Sequence, residues 1–128
     1  MIAALCKELI MRKEEAVGSE LQTIYLGGGT PSILTYDELK QLFDTIYSYY
    51  KVSPTAEITI ECNPDDFFRL HTPEQLLQQL TSLGINRLSL GVQSFFEEDL
   101  RLMNRVHTTT QVTTLLPIAS QYFDNITI

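Results

Sequence analysis

Apolar positions along this chain recur with two different periods. Short runs rich in β-branched residues alternate apolar with polar or small side chains at residues 23–27, 57–62, 87–92 and 125–128. Longer segments between them carry apolar residues three and four positions apart. Successive runs begin 30 to 38 residues apart, room for one crossover helix each. Strand, helix, strand at this spacing predicts repeated βα units and a parallel sheet, an α/β fold.

The helical segments carry their own punctuation. Thr35-Tyr36-Asp37-Glu38 fits a capping box, and Leu39, Leu42, Phe43, Ile46 and Tyr50 then share one face. Thr72-Pro73-Glu74-Gln75 repeats the box, with proline at the first helical position, where its missing N–H costs nothing. Leu76, Leu77, Leu80 and Leu83 follow, and Gly84 is expected to close that helix in the left-handed conformation. Ser94 with Glu97 is expected to cap a short helix through Leu102, and Thr108 with Gln111 another that carries Val112, Leu115, Leu116 and Ala119. Pro117 inside that last segment is expected to kink or break it. The first residues enter a helical stripe (Ile2, Leu5, Cys6, Leu9) without a capping residue, and Asn125-Ile126-Thr127-Ile128 stops in mid-strand. Residues 1–128 therefore read as a piece of a larger domain, cut at both ends, because a four-stranded parallel layer would leave two raw edges.

Parallel strands covered on both sides are usually continuous apolar runs. Here each strand has one apolar face and one polar or small face. Ile58, Ile60 and Cys62 oppose Glu57, Thr59 and Glu61; Leu88, Leu90 and Val92 oppose Arg87, Ser89 and Gly91. Ile24 and Leu26 oppose Thr23, Tyr25 and Gly27, and Ile126 and Ile128 oppose Asn125 and Thr127. A polar face cannot form a dry core without heavy cost. Two arrangements meet this: an open sheet with one face in water, or part of a barrel whose interior holds a ligand. Right-handed crossovers that place all long helices on the convex side favour the barrel.

Composition narrows the function. Among 128 residues the net charge is −7, with 44% hydrophobic and 20% charged residues. So acidic a chain lacks the basic face that nucleic acid requires. No run of about 18 apolar residues is present to span a membrane. Lys7 and Glu8 interrupt the order of a secretory signal, so the expected compartment is the cytoplasm. Two cysteines, Cys6 and Cys62, exclude a disulfide scaffold and any three- or four-cysteine metal site made by this chain alone.

Candidate chemistry collects at the C-terminal strand ends, where α/β barrels carry their sites. There the sequence places Gly27-Gly28-Gly29-Thr30-Pro31, Glu61-Cys62-Asn63-Pro64 and Gly91-Val92-Gln93-Ser94. Glycines after a strand leave backbone N–H and C=O groups bare to a ligand. This is not a phosphate loop, since no Lys-Ser/Thr follows and G-x-G-x-x-G is absent. A carboxylate at Glu61 would repel phosphate; it suits an amine, a sulfonium or a ribose hydroxyl. Gln93 adds one group that both donates and accepts.

Three blocks then become recognisable: Tyr25-Leu26-Gly27-Gly28-Gly29-Thr30-Pro31-Ser32, Ile58-Thr59-Ile60-Glu61-Cys62-Asn63-Pro64, and Asn86-Arg87-Leu88-Ser89-Leu90-Gly91-Val92-Gln93-Ser94-Phe95. With Leu102-Met103-Asn104-Arg105-Val106-His107-Thr108 and Phe123-Asp124-Asn125-Ile126-Thr127-Ile128, the chain resembles the radical S-adenosylmethionine (SAM) family of oxygen-independent coproporphyrinogen III oxidases and the related heme chaperones. The resemblance implies part of a (β/α)6 TIM-like barrel with SAM across the strand ends. It implies SAM contacts from Gly28, Gly29, Thr30, Glu61, Gln93 and Arg105. Arg105 comes from the resemblance alone; by pattern it is a surface arginine.

The same resemblance implies a [4Fe–4S] cluster on a C-x-x-x-C-x-x-C loop, which these residues lack and which would lie before Met1. A further aspartate contact would lie after the last strand. Cys6, on a helical stripe, and Cys62, facing the helices, read as core residues; this chain alone is expected to bind no cluster and to carry no catalytic residue. In the family, reduction of SAM yields methionine and a 5′-deoxyadenosyl radical that abstracts hydrogen. Porphyrin or heme is the implied ligand. Ser94 after Gln93 and His107-Thr108 after Arg105 lean toward the heme chaperones; a decarboxylating oxidase and a non-catalytic α/β scaffold are the alternatives. His107 reads as a surface residue flanking a helix rather than a heme ligand. The aromatic residues Tyr47, Tyr49, Tyr50, Phe67, Phe68, Phe95 and Phe96 read as core rather than a porphyrin pocket.

Overall fold

Three threonines set where three of the four longer helices begin. Thr35 Oγ1 accepts the Glu38 N–H at 3.3 Å while Glu38 accepts the Thr35 N–H at 2.9 Å. Thr72 with Gln75, and Thr108 with Gln111, repeat the reciprocal pair. Each cap satisfies two otherwise orphaned donors; its loss costs about 1 kcal/mol.

The computed structural model describes residues 1–69 and 72–128. In chain order the elements are α1 (Ile2–Arg12), β1 (Leu21–Leu26), α2 (Tyr36–Tyr49), β2 (Val52–Cys62), α3 (Asp66–Arg69), α4 (Pro73–Ser82), β3 (Arg87–Leu90), α5 (Glu97–Leu102), α6 (Thr109–Ala119) and β4 (Asn125–Thr127), with single 3-10 turns at Lys13–Ala16 and Pro31–Ile33. The strands form one sheet in the order β1-β2-β3-β4, and β3 pairs in parallel with both β2 and β4. Sequence order equals spatial order, as in a singly wound series of βα units.

The chain divides into two compact units, one of residues 1–24 and 34–57, the other of residues 25–33 and 58–128. In the first, α1 lies against α2. Ile2 and Cys6 are buried, as are Leu39, Leu42, Phe43 and Ile46 on the predicted face of α2. Each large apolar side chain so buried contributes about 1.5–3 kcal/mol. Tyr50, expected on that helical face, instead stands just past the helix end in extended backbone, and its hydroxyl donates to Leu9 O at 2.7 Å.

The second unit carries the site. Ile58, Ile60, Cys62, Leu88, Leu90 and Val92 are all nearly inaccessible, and its core also takes Leu76, Leu77 and Leu80 of α4 and Val112, Leu115 and Ala119 of α6. The opposite strand face is polar and partly open: Glu61, Arg87 and Ser89 are half-buried and Asn125 and Thr127 exposed. Thr59 departs from that pattern, being buried beneath the Arg87 guanidinium, whose Nη1 donates to its hydroxyl at 3.4 Å. Gly84 closes α4 as expected, at φ +87°, with Gly84 N–H to Thr81 O and Ile85 N–H to Leu80 O completing a Schellman motif.

Several expectations are corrected. β2 begins at Val52, not Glu57; Pro54 inside the run argues against a strand by sequence, but it is exposed, where its missing N–H costs little. β3 ends at Leu90, two residues early, because Val92 N–H turns back to Leu90 O and Ser94 N–H to Val92 O. Ser94 does not cap α5. Its hydroxyl accepts the Phe96 N–H and donates to Asp99, while Glu97 reaches forward to the Thr109 N–H and hydroxyl, both at 2.7 Å. Those two donors hold the Glu97 carboxyl below its ordinary range. Pro117 does not break α6, which runs two residues beyond it. It lies exposed in the last turn, where the Thr113 carbonyl it leaves unpaired can turn to water.

Candidate functional site

Parallel register puts Glu61 beside Ser89 and Ser89 beside Thr127, one row across three strands on the polar face. Just beyond this row the chain leaves β1, β2 and β3 through glycine- and asparagine-bearing turns. Gly29, Thr30, Glu61, Cys62, Asn63, Ser89, Leu90, Gly91, Gln93, Arg105, Thr127 and Ile128 line a cleft of about 340 Å³ there. Five of the six residues singled out in the sequence, Gly29, Thr30, Glu61, Gln93 and Arg105, are thus brought together. The sixth, Gly28, is tied to the same cleft through Glu61.

Glu61 carries two bonds. Its Oε1 accepts the Tyr25 hydroxyl at 2.7 Å and its Oε2 accepts the Gly28 N–H at 3.2 Å. Gly28 and Gly29 hold φ of +80° and +95°, a conformation that other residues rarely adopt. Gly27 is needed for another reason. A Cβ there would stand 2.6 Å from a Tyr25 ring carbon and 2.9 Å from Glu61 Cδ, so a side chain would separate the pair. The bond to Glu61 holds the Tyr25 phenol above its ordinary pKa, which keeps it a donor.

Arg105 reaches the cleft through the end of α5. Asn104 sits at φ +52°, with its N–H on Arg101 O and the Arg105 N–H on Leu100 O. This is a Schellman closure with asparagine in the glycine position, and it turns the chain back toward β3. Arg105 Nη2 then donates to Asn63 Oδ1 at 3.0 Å and to Gly91 O at 2.8 Å. Gly91 leaves the room: a Cβ there would lie 3.0 Å from Arg105 Nη2 and 3.1 Å from Asn63 Oδ1. Asn63 Nδ2 in turn donates to Thr30 Oγ1 at 3.3 Å. Gln93 stands exposed at φ +67°, an uncommon backbone state for a residue with a side chain.

Tyr25, Asn63 and Asn104 were not singled out as site residues. Tyr25 shared the polar face of its strand and Asn63 stood in the Glu61 motif, so only partner and distance were missing. For Asn104 the signal was an asparagine one residue past a helix end.

His107 is corrected from surface to core. It is 2% exposed, and its Nε2–H donates to Val92 O at 3.0 Å, since a carbonyl can only accept. Its Nδ1 is buried without a partner. Phe95 and Phe96 are corrected the other way, being 48% and 72% exposed. Tyr47 and Tyr49 are also largely exposed, whereas Phe67 is core. Cys6 and Cys62 are buried free thiols. Burial pushes the Cys62 thiol up to about 12, so it is a poor thiolate. Among the described residues no group of three His, Cys, Asp or Glu side chains could hold a metal ion.

A parallel sheet with one polar face thus gathers a glycine turn, a carboxylate, an amide and a guanidinium around one cleft at its C-terminal edge, an α/β ligand site by its geometry. The chain matches the Radical SAM superfamily over residues 5–128 and belongs to it. It is 36% identical over 125 residues to the heme chaperone HemW of Synechocystis sp., covering 97% of this chain and 29% of that protein. It is 37% identical over 127 residues to the heme chaperone HemW of Bacillus subtilis, covering 98% of this chain and 32% of that protein. The solved structure of coproporphyrinogen III oxidase (HemN) from Escherichia coli superposes with a TM-score of 0.83 at 31% identity, over 95% of this chain and 27% of that chain. The chain thus spans under a third of the length of these relatives. The family and the TIM-like barrel fold read from the motifs stand.

Proposed function

We propose that residues 1–128 form part of the radical SAM domain of a longer protein that handles heme, a cytoplasmic chaperone rather than a decarboxylating oxidase. The observation that carries it is the cleft, where Glu61, Gln93, Arg105 and the glycine turn meet from four separate stretches of chain. The similarity to heme chaperones in two organisms supports the branch.

The cleft suits SAM in its donor set. Glu61 keeps lone pairs beyond those used by Tyr25 and Gly28, and offers them to an ammonium, a sulfonium or ribose hydroxyls. Gly28, Gly29 and Thr30 present backbone and hydroxyl to the amino-acid end. Arg105, already oriented by Asn63 and the Gly91 carbonyl, supplies a cation for a carboxylate. Gln93 adds an amide. Bound there, SAM would supply one-electron chemistry, and the residues of this chain would position it and exclude water.

A [4Fe–4S] cluster, which the family implies, does not fit these residues. Such clusters normally need several close thiolates, and Cys6 and Cys62 are each buried. Its ligands would come from elsewhere in the full-length protein. Among the described residues no helix is long and apolar enough to cross a membrane.

Glu61→Gln in the full-length protein is expected to weaken SAM binding about ten- to hundredfold with the fold intact, as loss of a charge-assisted bond predicts. Equilibrium dialysis measures it, and an unchanged affinity would make Glu61 a mere filler of the polar face. Heme titration beside anaerobic turnover separates the branches. The chaperone binds heme without oxidase-like turnover; protoporphyrinogen IX formed over many turnovers without heme binding would reverse that reading.

A further inference from the structure

Asp66 is a buried carboxyl outside the cleft lining, 8% exposed, at the start of the short helix α3. One of its oxygens, Oδ2, accepts two bonds. Ser32 Oγ donates at 2.5 Å and the Asn63 N–H at 3.1 Å. The Asp66 N–H also donates to Asn63 O at 3.1 Å, so Asn63 is held at both its backbone N–H and its carbonyl. Ser32 is itself 6% exposed.

These bonds meet the cleft at two points. Ser32 ends the glycine turn, whose start is held by the bond from Gly28 N–H to Glu61. Asn63 sends its amide nitrogen to Thr30 and its amide oxygen to Arg105. A displacement at Asp66 therefore moves both the exit of the glycine turn and the group that aims Arg105. A buried carboxyl is costly to maintain and must be satisfied where it stands. Here its partners are a serine and an asparagine that belong to the two turns lining the cleft.

We propose that Asp66 is a positioning residue of the SAM cleft: through Ser32 it anchors the glycine turn, and through Asn63 it orients Thr30 and Arg105. This rests on the cleft being the SAM site. Asp66 touches no ligand in this scheme and contributes through geometry alone, since a small misplacement of first contacts costs much binding.

The test is SAM binding to the full-length protein by equilibrium dialysis, with thermal unfolding of each variant. Asp66→Ala is expected to weaken SAM about tenfold or more, the loss of at least one net hydrogen bond's worth of alignment. Asp66→Asn is expected to recover most of it, because one amide oxygen can accept from both Ser32 and Asn63. Ser32→Ala, which removes a single tether, gives an intermediate loss and serves if Asp66→Ala does not fold. In an Asn63→Ala background, Asp66→Ala should cost clearly less than alone, the non-additivity of residues acting in series. Equal losses in both backgrounds, no rescue by asparagine, or unchanged affinity in Ser32→Ala would each overturn the proposal. Glu61→Gln is run alongside: if it weakens SAM while the Asp66 and Ser32 variants do not, only the positioning role fails. If Glu61→Gln also leaves SAM unchanged, the site reading itself fails.

Discussion

Tyr25 on β1 donates its hydroxyl to Glu61 on the neighbouring strand β2 at 2.7 Å, and this bond aims the carboxylate at the mouth of the sheet. The Tyr25 ring is 57% exposed, so the bond contributes orientation more than core stability. Tyr25→Phe is expected to leave folding nearly unchanged and to weaken SAM binding roughly two- to tenfold, the span of one net hydrogen bond. Urea unfolding and equilibrium dialysis of the full-length protein measure the two effects; a shift in stability without a shift in affinity would contradict this role.

Two glycines should respond to alanine in a fixed order. At Gly27 the new methyl meets the Tyr25 ring at 2.6 Å and Glu61 Cδ at 2.9 Å, and so pries the pair apart. At Gly91 it meets the movable end of Arg105 at 3.0 Å, which can retreat by a few tenths of an ångström. Gly27→Ala should therefore harm both stability and SAM affinity more than Gly91→Ala, whose effect should fall on affinity. The reverse order in paired melting and binding measurements would show that the site tolerates separation of Tyr25 and Glu61.

Asn104 holds a left-handed conformation at the end of α5. Asn104→Ala is expected to destabilise by at most about 1–2 kcal/mol, because alanine keeps the Cβ but lacks the short polar side chain that eases asparagine into that region. Asn104→Gly should cost less than the alanine change or nothing, since glycine adopts that region freely. Denaturant midpoints at constant slope test it, and equal losses for both substitutions would place the effect in the side chain rather than the backbone.

Cys62 makes a prediction about alkaline pH. Burial raises its thiol from about 9 to about 12, so the folded state holds a proton that the unfolded chain releases earlier. Its contribution to stability is constant below about 9 and falls as pH rises from there toward 12. Stability should therefore decline more steeply with pH in the wild type than in Cys62→Ala, whatever cavity cost the alanine adds at all pH values. Parallel slopes for the two proteins between pH 8.5 and about 10.5 would show that the thiol is less secluded than this.

What could be read along the chain was what neighbours in sequence decide. The boxes at Thr35, Thr72 and Thr108 close between residues three apart, and the cap at Gly84 depends on its own backbone freedom. The alternation in residues 57–62 and 87–92 sorts side chains to two faces because the pleat has period two. From these came the parallel sheet, its polar face and the candidates Glu61 and Gln93, while Gly28, Gly29 and Thr30 came from the resemblance their motif carries. The tertiary structure decided what depends on residues far apart. Glu97 serves Thr109 rather than the start of its own helix, and Ser94 turns to Phe96 and Asp99. His107 is buried because its loop folds onto the Val92 carbonyl, and Phe95 and Phe96 stay out because nothing covers them among the described residues. Arg105 joins the cleft through Asn63, 42 positions away, and Asp66 through Ser32, 34 positions away. A hydrogen bond acts over about 3 Å of space whatever the distance along the chain, so those pairings belong to the fold and have no local signature.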